Sequence, residues 1–418
     1  MPLTHFQDPL SRFLSVRDEV LFNGKVGLLS NQISFHPETG EYLFQILERR
    51  GSLKRVFIPE HGLFGELQDQ IPLTATEIYS GLIKNTECIS LYGLKEESLV
   101  VQPELLSDLD ALVVDIQDVG SRYYTFATTF SYILDILHEN SIHLDIYIID
   151  RINPAGRQIE GIPLDKKYSS FVGRTGLLHR HGMTIGELSL FYKNQIQGRF
   201  NIHIIRLSDP EKETMRTISN PSGSSAGISV VWQPWWISPS PNMPTEFTPL
   251  IYTGQCLLEG TNLNEGRGTT RPFEIFGAPY LKNVFSESKT LSRPGAILRP
   301  LKYIPSFHKH AESVCNGFQI HLTGQPYHSL LHTVEILRHF QENENDFEYL
   351  KGVYEYRSDL PAIELLAGDE ELISFLYGKG SLKILRDKMI HEERLWQKKA
   401  KEYSIYSEAP FIVYDTEF

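Results

Sequence analysis

Along the first half of the chain, short apolar runs alternate with stretches whose apolar positions recur at helical spacing. The runs Lys25–Ser30, Arg55–Ile58, Cys88–Gly93, Leu109–Asp115, Leu144–Asp150 and Asn201–Arg206 read as strands. Leu109–Asp115 is apolar at almost every position, the pattern of a strand buried on both faces of a parallel sheet. Helical spacing covers Tyr42–Arg49 and Thr128–Asn140, and Thr184 with Glu187 forms a capping box opening a helix toward Ile196. Strand and helix in alternation predict an α/β fold, a doubly wound parallel sheet.

The pattern breaks between about Asn220 and Pro249, where Ser, Gly and Pro crowd around Trp232, Trp235 and Trp236. Proline at that density is incompatible with helix or central strand. The segment therefore reads as a connection between domains: 1–220 a Rossmann-like N-terminal domain, 221–248 the Pro/Trp-rich connection, 249–418 a smaller α+β auxiliary domain. Alternation is less regular in the last part, with longer helices near Tyr327–Glu344 and Ser381–Tyr403. A length of 418 residues fits two such units.

Four predicted strands end in polar residues: Asn31, Glu60-His61, Asp115 with Gln117-Asp118, and Asp150-Arg151. In a parallel sheet these ends share one edge, where ligands bind, so the side chains are expected to converge on one crevice. Pro59 stops a strand directly before Glu60 and His61, an acid–imidazole pair suited to proton transfer. Singly, each such residue is more often a cap or turn residue than a catalytic one. Arg122 beside Tyr123 and Tyr124 suits a ligand with a carboxylate and an apolar sugar face. A second stretch, Glu259 to Pro272, is dense in glycine and hydrogen-bonding groups. Glu265 within it is a candidate second carboxylate opposite Glu60, the pairing that glycoside hydrolysis uses.

Charge and cysteine content narrow the field. A net charge of −12 argues against nucleic acid, whose phosphates need clustered Lys and Arg. The three cysteines are far apart and form no CxxC. His179-x-His181 and His308-x-His310 lack the spacing of a metal site, so no metal is expected. Gly266-x-Gly268 has no helix signal after it, and no Gly-x-Ser-x-Gly elbow occurs, so neither a dinucleotide cofactor nor a serine hydrolase is expected. No run is long enough for a transmembrane segment. The start, Met1 to Asp8, has neither a basic region nor a long apolar run. The chain as it stands reads as cytoplasmic, and as exported were a leader to precede it.

Several of these segments, taken together and in order, resemble one family. "IPEHGLFGELQDQ" from Ile58, "VVDIQDVGSRYYTF" from Val113, "DRINPAGRQIEG" from Asp150, "HGMTIGEL" from His181, "SPNMPT" from Ser240 and the long run from Tyr252 are similar to the NamZ family of exo-β-N-acetylmuramidases. The likeness extends from about Gly24 to Tyr414. Asn31-Gln32 departs from the Asn-Pro expected there. The resemblance implies a Rossmann-like catalytic domain, an auxiliary C-terminal domain and a cleft between them. It implies release of β-1,4-linked N-acetylmuramic acid from non-reducing ends of peptidoglycan fragments, with MurNAc-GlcNAc saccharides as partners and no cofactor. It makes Glu60 the catalytic acid and brings His61, Asp115, Arg122, Tyr123, Asn242 and the Asn264–Thr269 loop into the cleft. On this reading Arg122, with Arg267 second, holds the lactyl carboxylate, and Tyr123 or Tyr124 packs on the sugar. Glu265, Asp115 or the substrate's own N-acetyl group completes the chemistry. The competing readings are a non-catalytic muropeptide-binding protein and a cell-wall amidase or esterase using His61.

Overall fold

The computed structural model describes residues 9–68, 70–73, 76–206, 215–218, 228–231 and 237–414. Six strands form a sheet in which every neighbouring pair is parallel: β1 Val26–Ser30, β2 Leu53–Ile58, β3 Glu87–Ser90, β4 Ala111–Asp115, β5 Asp145–Ile149 and β6 Asn201–Ile205. Their order, β3-β2-β1-β4-β5-β6, reverses direction between β1 and β4. That order defines the Rossmann-like sheet, with its switch point between β1 and β4.

The central strands β1 and β4 are buried at every position because both faces are covered. Leu28, Val56, Val113 and Ile149 pack against Leu43, Phe44 and Leu47 of α1 (Leu43–Arg50), with Leu10 and Phe13 beside them. Leu29, Phe57, Leu112 and Ile148 point the other way, onto Phe130 and Leu134 of α2 (Thr125–Glu139) and Phe191 of α3 (Ile185–Ile196). This period-2 alternation divides each strand between two cores. The Thr184–Glu187 capping box opens α3 as the sequence implies.

The remainder includes α4 (Thr248–Gln255), an antiparallel sheet of β7 (Ile275–Ala278), β8 (Ala296–Tyr303) and β9 (Cys315–Leu322) in the order β7-β9-β8, and the helices α5 (Ser329–Asn343), α6 (Ala362–Ala367) and α7 (Leu382–Lys401). Its apolar residues join the core under α2 and α3, so Leu250, Phe318, Leu337 and Trp396 belong to one continuous cluster with Phe130 and Phe191. At Gly254 the α4 backbone closes on α5: a β-carbon there would stand 2.2 Å from the Ser329 carbonyl oxygen. Of the Pro/Trp-rich connection, residues 221–227 and 232–236, with all three of its tryptophans, lie outside the described residues. Among the described residues, no helix is long and apolar enough to cross a membrane.

Candidate active site

The site begins where β2 ends. Pro59 has no N–H to continue the ladder, and His61 (φ +73°) and Gly62 (φ +86°) turn the chain sharply back. The His61 ring is fixed by a bond from Nδ1–H to the Leu67 carbonyl at 3.0 Å, which leaves Nε2 as the acceptor nitrogen of the neutral ring. Glu60 is only 3% exposed. Its Oε2 accepts from the Thr125 hydroxyl at 2.8 Å, so the carboxyl group meets the positive end of α2. Buried Asp118 shapes that helix start, accepting from Gly120 N at 2.8 Å and Ala127 N at 3.1 Å. Burial raises the Asp118 carboxyl to about 7.

Glu60 lines a pocket that opens to solvent. Tyr123, Tyr124, Tyr252 and Phe273 form an aromatic wall of edge-on rings, Tyr252 and Phe273 being 4.7 Å apart. Arg267 enters from the glycine-rich loop, its guanidinium 5.1 Å from the Phe273 ring centre and 2.7 Å from Glu259 Oε1. Glu259 Oε2 accepts from the Tyr354 hydroxyl at 2.5 Å. Asn242, donating to Gln68 Oε1 at 2.9 Å, and Glu355, accepting from the Tyr92 hydroxyl at 3.2 Å, complete the polar wall.

Of the residues singled out from sequence, Glu60, His61, Tyr123, Tyr124, Asn242 and Arg267 line this cavity together. The others are found elsewhere. Asp115 is fully buried between Arg151 (Nη1 to Oδ1, 2.5 Å) and the Ser34 hydroxyl (2.6 Å), so two strand-end residues expected to face a ligand bond to each other. Asn31 ties the ends of β1 and β4 together through Gln117 N and O, both at 3.4 Å. Arg122 donates to the carbonyls of Ile162, Leu177, Leu366 and Ala367, clamping α6 to the parallel-sheet half. Burial lowers that guanidinium to about 10.

Glu265 is likewise built into the fold. Burial alone would raise its pKa, but Lys309 at 2.9 Å, His308 at 3.0 Å and Arg267 at 3.2 Å hold it well below the usual carboxylate range. Asn264 accepts from Gly266 N and donates to the Lys309 carbonyl, and Thr269 caps the same loop through the Gly266 carbonyl. His179 and His181 are buried, and burial holds both rings well below the ordinary histidine value. Among the described residues, no group of three or more His, Cys, Asp or Glu is placed to hold a metal ion.

Glu259, Tyr354 and Glu355 are cavity residues that the sequence reading passed over. Glu259 had a signal, since it opens the glycine-rich stretch. Tyr354-Glu355 had none, because no glycine, asparagine or proline marks the turn that carries it.

Comparison with known proteins agrees with this architecture. Residues 26–246 match the family model described as exo-beta-N-acetylmuramidase NamZ, N-terminal, and residues 250–406 match its C-terminal counterpart. The peptidoglycan beta-N-acetylmuramidase NamZ of Bacillus subtilis (strain 168) is 31% identical over 332 residues, 78% of this chain and 75% of that protein. Two crystal structures of DUF1343 family proteins from Bacteroides fragilis share the fold. One has a TM-score of 0.76 at 22% identity, covering 97% of this chain and all of the other. The second has a TM-score of 0.67 at 23% identity, covering 95% and 98%.

Proposed function

The chain belongs to the exo-β-N-acetylmuramidase NamZ family, and from that membership we propose that its cavity cleaves a terminal N-acetylmuramic acid from peptidoglycan-derived saccharides, with Glu60 as the general acid. The observation that carries the reading is the placement of a buried carboxyl group, Glu60, in the wall of a pocket that also presents an arginine and an aromatic face.

In this mechanism the aromatic wall packs on the apolar face of the sugar. Arg267, oriented by Glu259, receives the lactyl carboxylate, the group that distinguishes muramic acid from N-acetylglucosamine. Arg122 has no part in this, since its terminal nitrogens already serve four backbone carbonyls. Glu60 gives its proton to the glycosidic oxygen as the C1–O bond breaks, and water supplies the hydroxyl that ends on C1.

The test compares wild type and Glu60→Gln on MurNAc-β-1,4-GlcNAc and on an aryl β-MurNAc glycoside with an activated leaving group. General acid catalysis is worth ~10²–10⁴-fold. The variant should lose that much on the disaccharide and far less on the aryl glycoside, whose leaving group needs no proton. Equal losses on both substrates would show that Glu60 has another role. Release of peptide or acyl groups with the glycosidic bond intact would instead establish the amidase or esterase.

A further inference from the structure

Besides Glu60, the cavity wall contains two other carboxylates, and they are held in different ways. Both oxygens of Glu259 are engaged by its own framework, Oε1 by Arg267 and Oε2 by Tyr354. That makes it a brace for the arginine. Glu355 is held by geometry of another kind. Tyr354 and Arg357 exchange both backbone hydrogen bonds, at 2.8 and 2.9 Å, which makes Glu355 and Tyr356 the central pair of a two-residue hairpin turn. Both have positive φ, +44° and +66°. This primed turn is normally filled by Asn-Gly, because a β-carbon is unfavourable in the left-handed region.

The surroundings enforce the conformation. The Tyr356 hydroxyl donates to the Gly93 carbonyl at 2.8 Å, and Arg357 Nη1 donates to the Ser169 carbonyl at 2.7 Å. The Tyr92 ring lies 5.8 Å from Tyr356 and its hydroxyl reaches Glu355 Oε2 at 3.2 Å. A glutamate thus occupies a position that favours glycine, and the residue is 7% exposed and lines the cavity. Backbone strain held in place by packing around an active site is a signature of a functional side chain.

Resting on the glycosidase reading above, we propose that Glu355 is the second catalytic carboxylate and receives the proton of the attacking water. As the C1–O bond breaks, Glu60 releases its proton to the leaving oxygen. The water oxygen bonds to C1 from the other face, and its proton passes to Glu355. Solvent exchange then returns Glu60 to its acid form and Glu355 to its base form. The sugar is released with inverted anomeric configuration.

The experiment follows wild type, Glu355→Gln and Glu355→Gly on the disaccharide and on the aryl glycoside. Both variants should lose at least 100-fold in kcat on both substrates alike, the opposite of the Glu60→Gln pattern, with KM changed less than threefold. Glu355→Gly relieves the turn and should melt no lower than wild type, and added azide should restore aryl release through a glycosyl azide. Variants within threefold of wild type, a retained anomer, or no azide rescue would overturn the assignment while leaving the glycosidase reading intact. A wild type that releases no muramic acid from either substrate would remove that reading, and this inference with it.

Discussion

Two polar regions lie at the carboxyl edge of the parallel sheet, and they use the same residue types to opposite ends. In the crevice between β1 and β4, Asn31, Ser34, Asp115 and Arg151 bond to one another and to the backbone, and all are buried. Beyond β2, Glu60, His61, Arg267 and Glu355 border a cavity instead. In this strand order the first region is where a ligand is ordinarily expected. Here protein side chains close it, and the pocket lies one strand over, where the C-terminal half supplies the facing wall. Whether a carboxylate serves fold or chemistry is therefore decided by its partners: a buried cation beside it marks the former, a cavity the latter.

The largest expected effects test this division directly. Glu60→Gln should cost ~10²–10⁴-fold in turnover of the disaccharide and leave the urea midpoint close to that of wild type. Asp115→Ala should do the reverse. Removing it takes the carboxylate from a buried Arg151 guanidinium, and breaking such a pair costs ~3–5 kcal/mol. Equilibrium unfolding would register that loss, while the protein that remains folded keeps its KM. If Asp115→Ala instead were fully stable and inactive, the crevice would be part of the active site and the comparison would fail.

The two arginines provide a smaller test of the same kind. Arg122→Met leaves carbonyls on both sides of the α6 junction without donors, at ~1–3 kcal/mol for each group left unsatisfied. Stability should fall and the preference for muramic over glucosamine substrates should not change. Arg267→Met should shrink that preference by ~10–100-fold, the worth of a charge-assisted bond to the lactyl group, read as the ratio of kcat/KM for the two aryl glycosides. A preference that survives in Arg267→Met would assign the lactyl group to another side chain.

The sheet and the Glu60 loop were legible in the sequence because their signals are local: apolar runs, Pro59, then an acid and glycines. Strand ends came within two residues except at β3, which stops at Ser90 and not at Gly93, since burial on both faces leaves few polar positions inside the central strands. What the sequence does not encode locally is which charges pair. Asp115 meets Arg151 across 36 positions and Glu265 meets Lys309 across 44, so two carboxylates with the look of catalytic residues are neutralised by cations no motif connects to them. Glu355 was hidden for the converse reason. Its turn is imposed by contacts from Gly93 and Ser169, far away in the chain, rather than by turn-forming residues of its own.

The smallest effect concerns a buried charge network remote from the cavity. In its neutral form His328 caps α5, accepting from Leu331 N at 3.1 Å through Nδ1, a bond that protonation exchanges for Nδ1–H facing Glu160; its Nε2 lies 2.8 Å from Glu393 on α7. Glu160, 3.4 Å from the ring and itself paired with Arg180, belongs to the parallel-sheet half. Burial alone would lower the imidazole pKa, but Glu393 and Glu160 outweigh burial and the opposing Arg180, and raise it. A histidine raised on folding contributes stability that is fully present below its unfolded value, ~6.5, and is lost as pH climbs through the folded value. This network joins the two halves of the chain, so wild type should lose part of its stability between pH 6 and pH 9. His328→Asn retains an N-cap acceptor but has no proton to lose. Urea unfolding of both proteins at the two pH values gives the answer: the deficit of the variant should be larger at pH 6. An equal deficit at both would mean that His328 is held as a neutral cap and that its carboxylate neighbours are balanced by Arg180 alone.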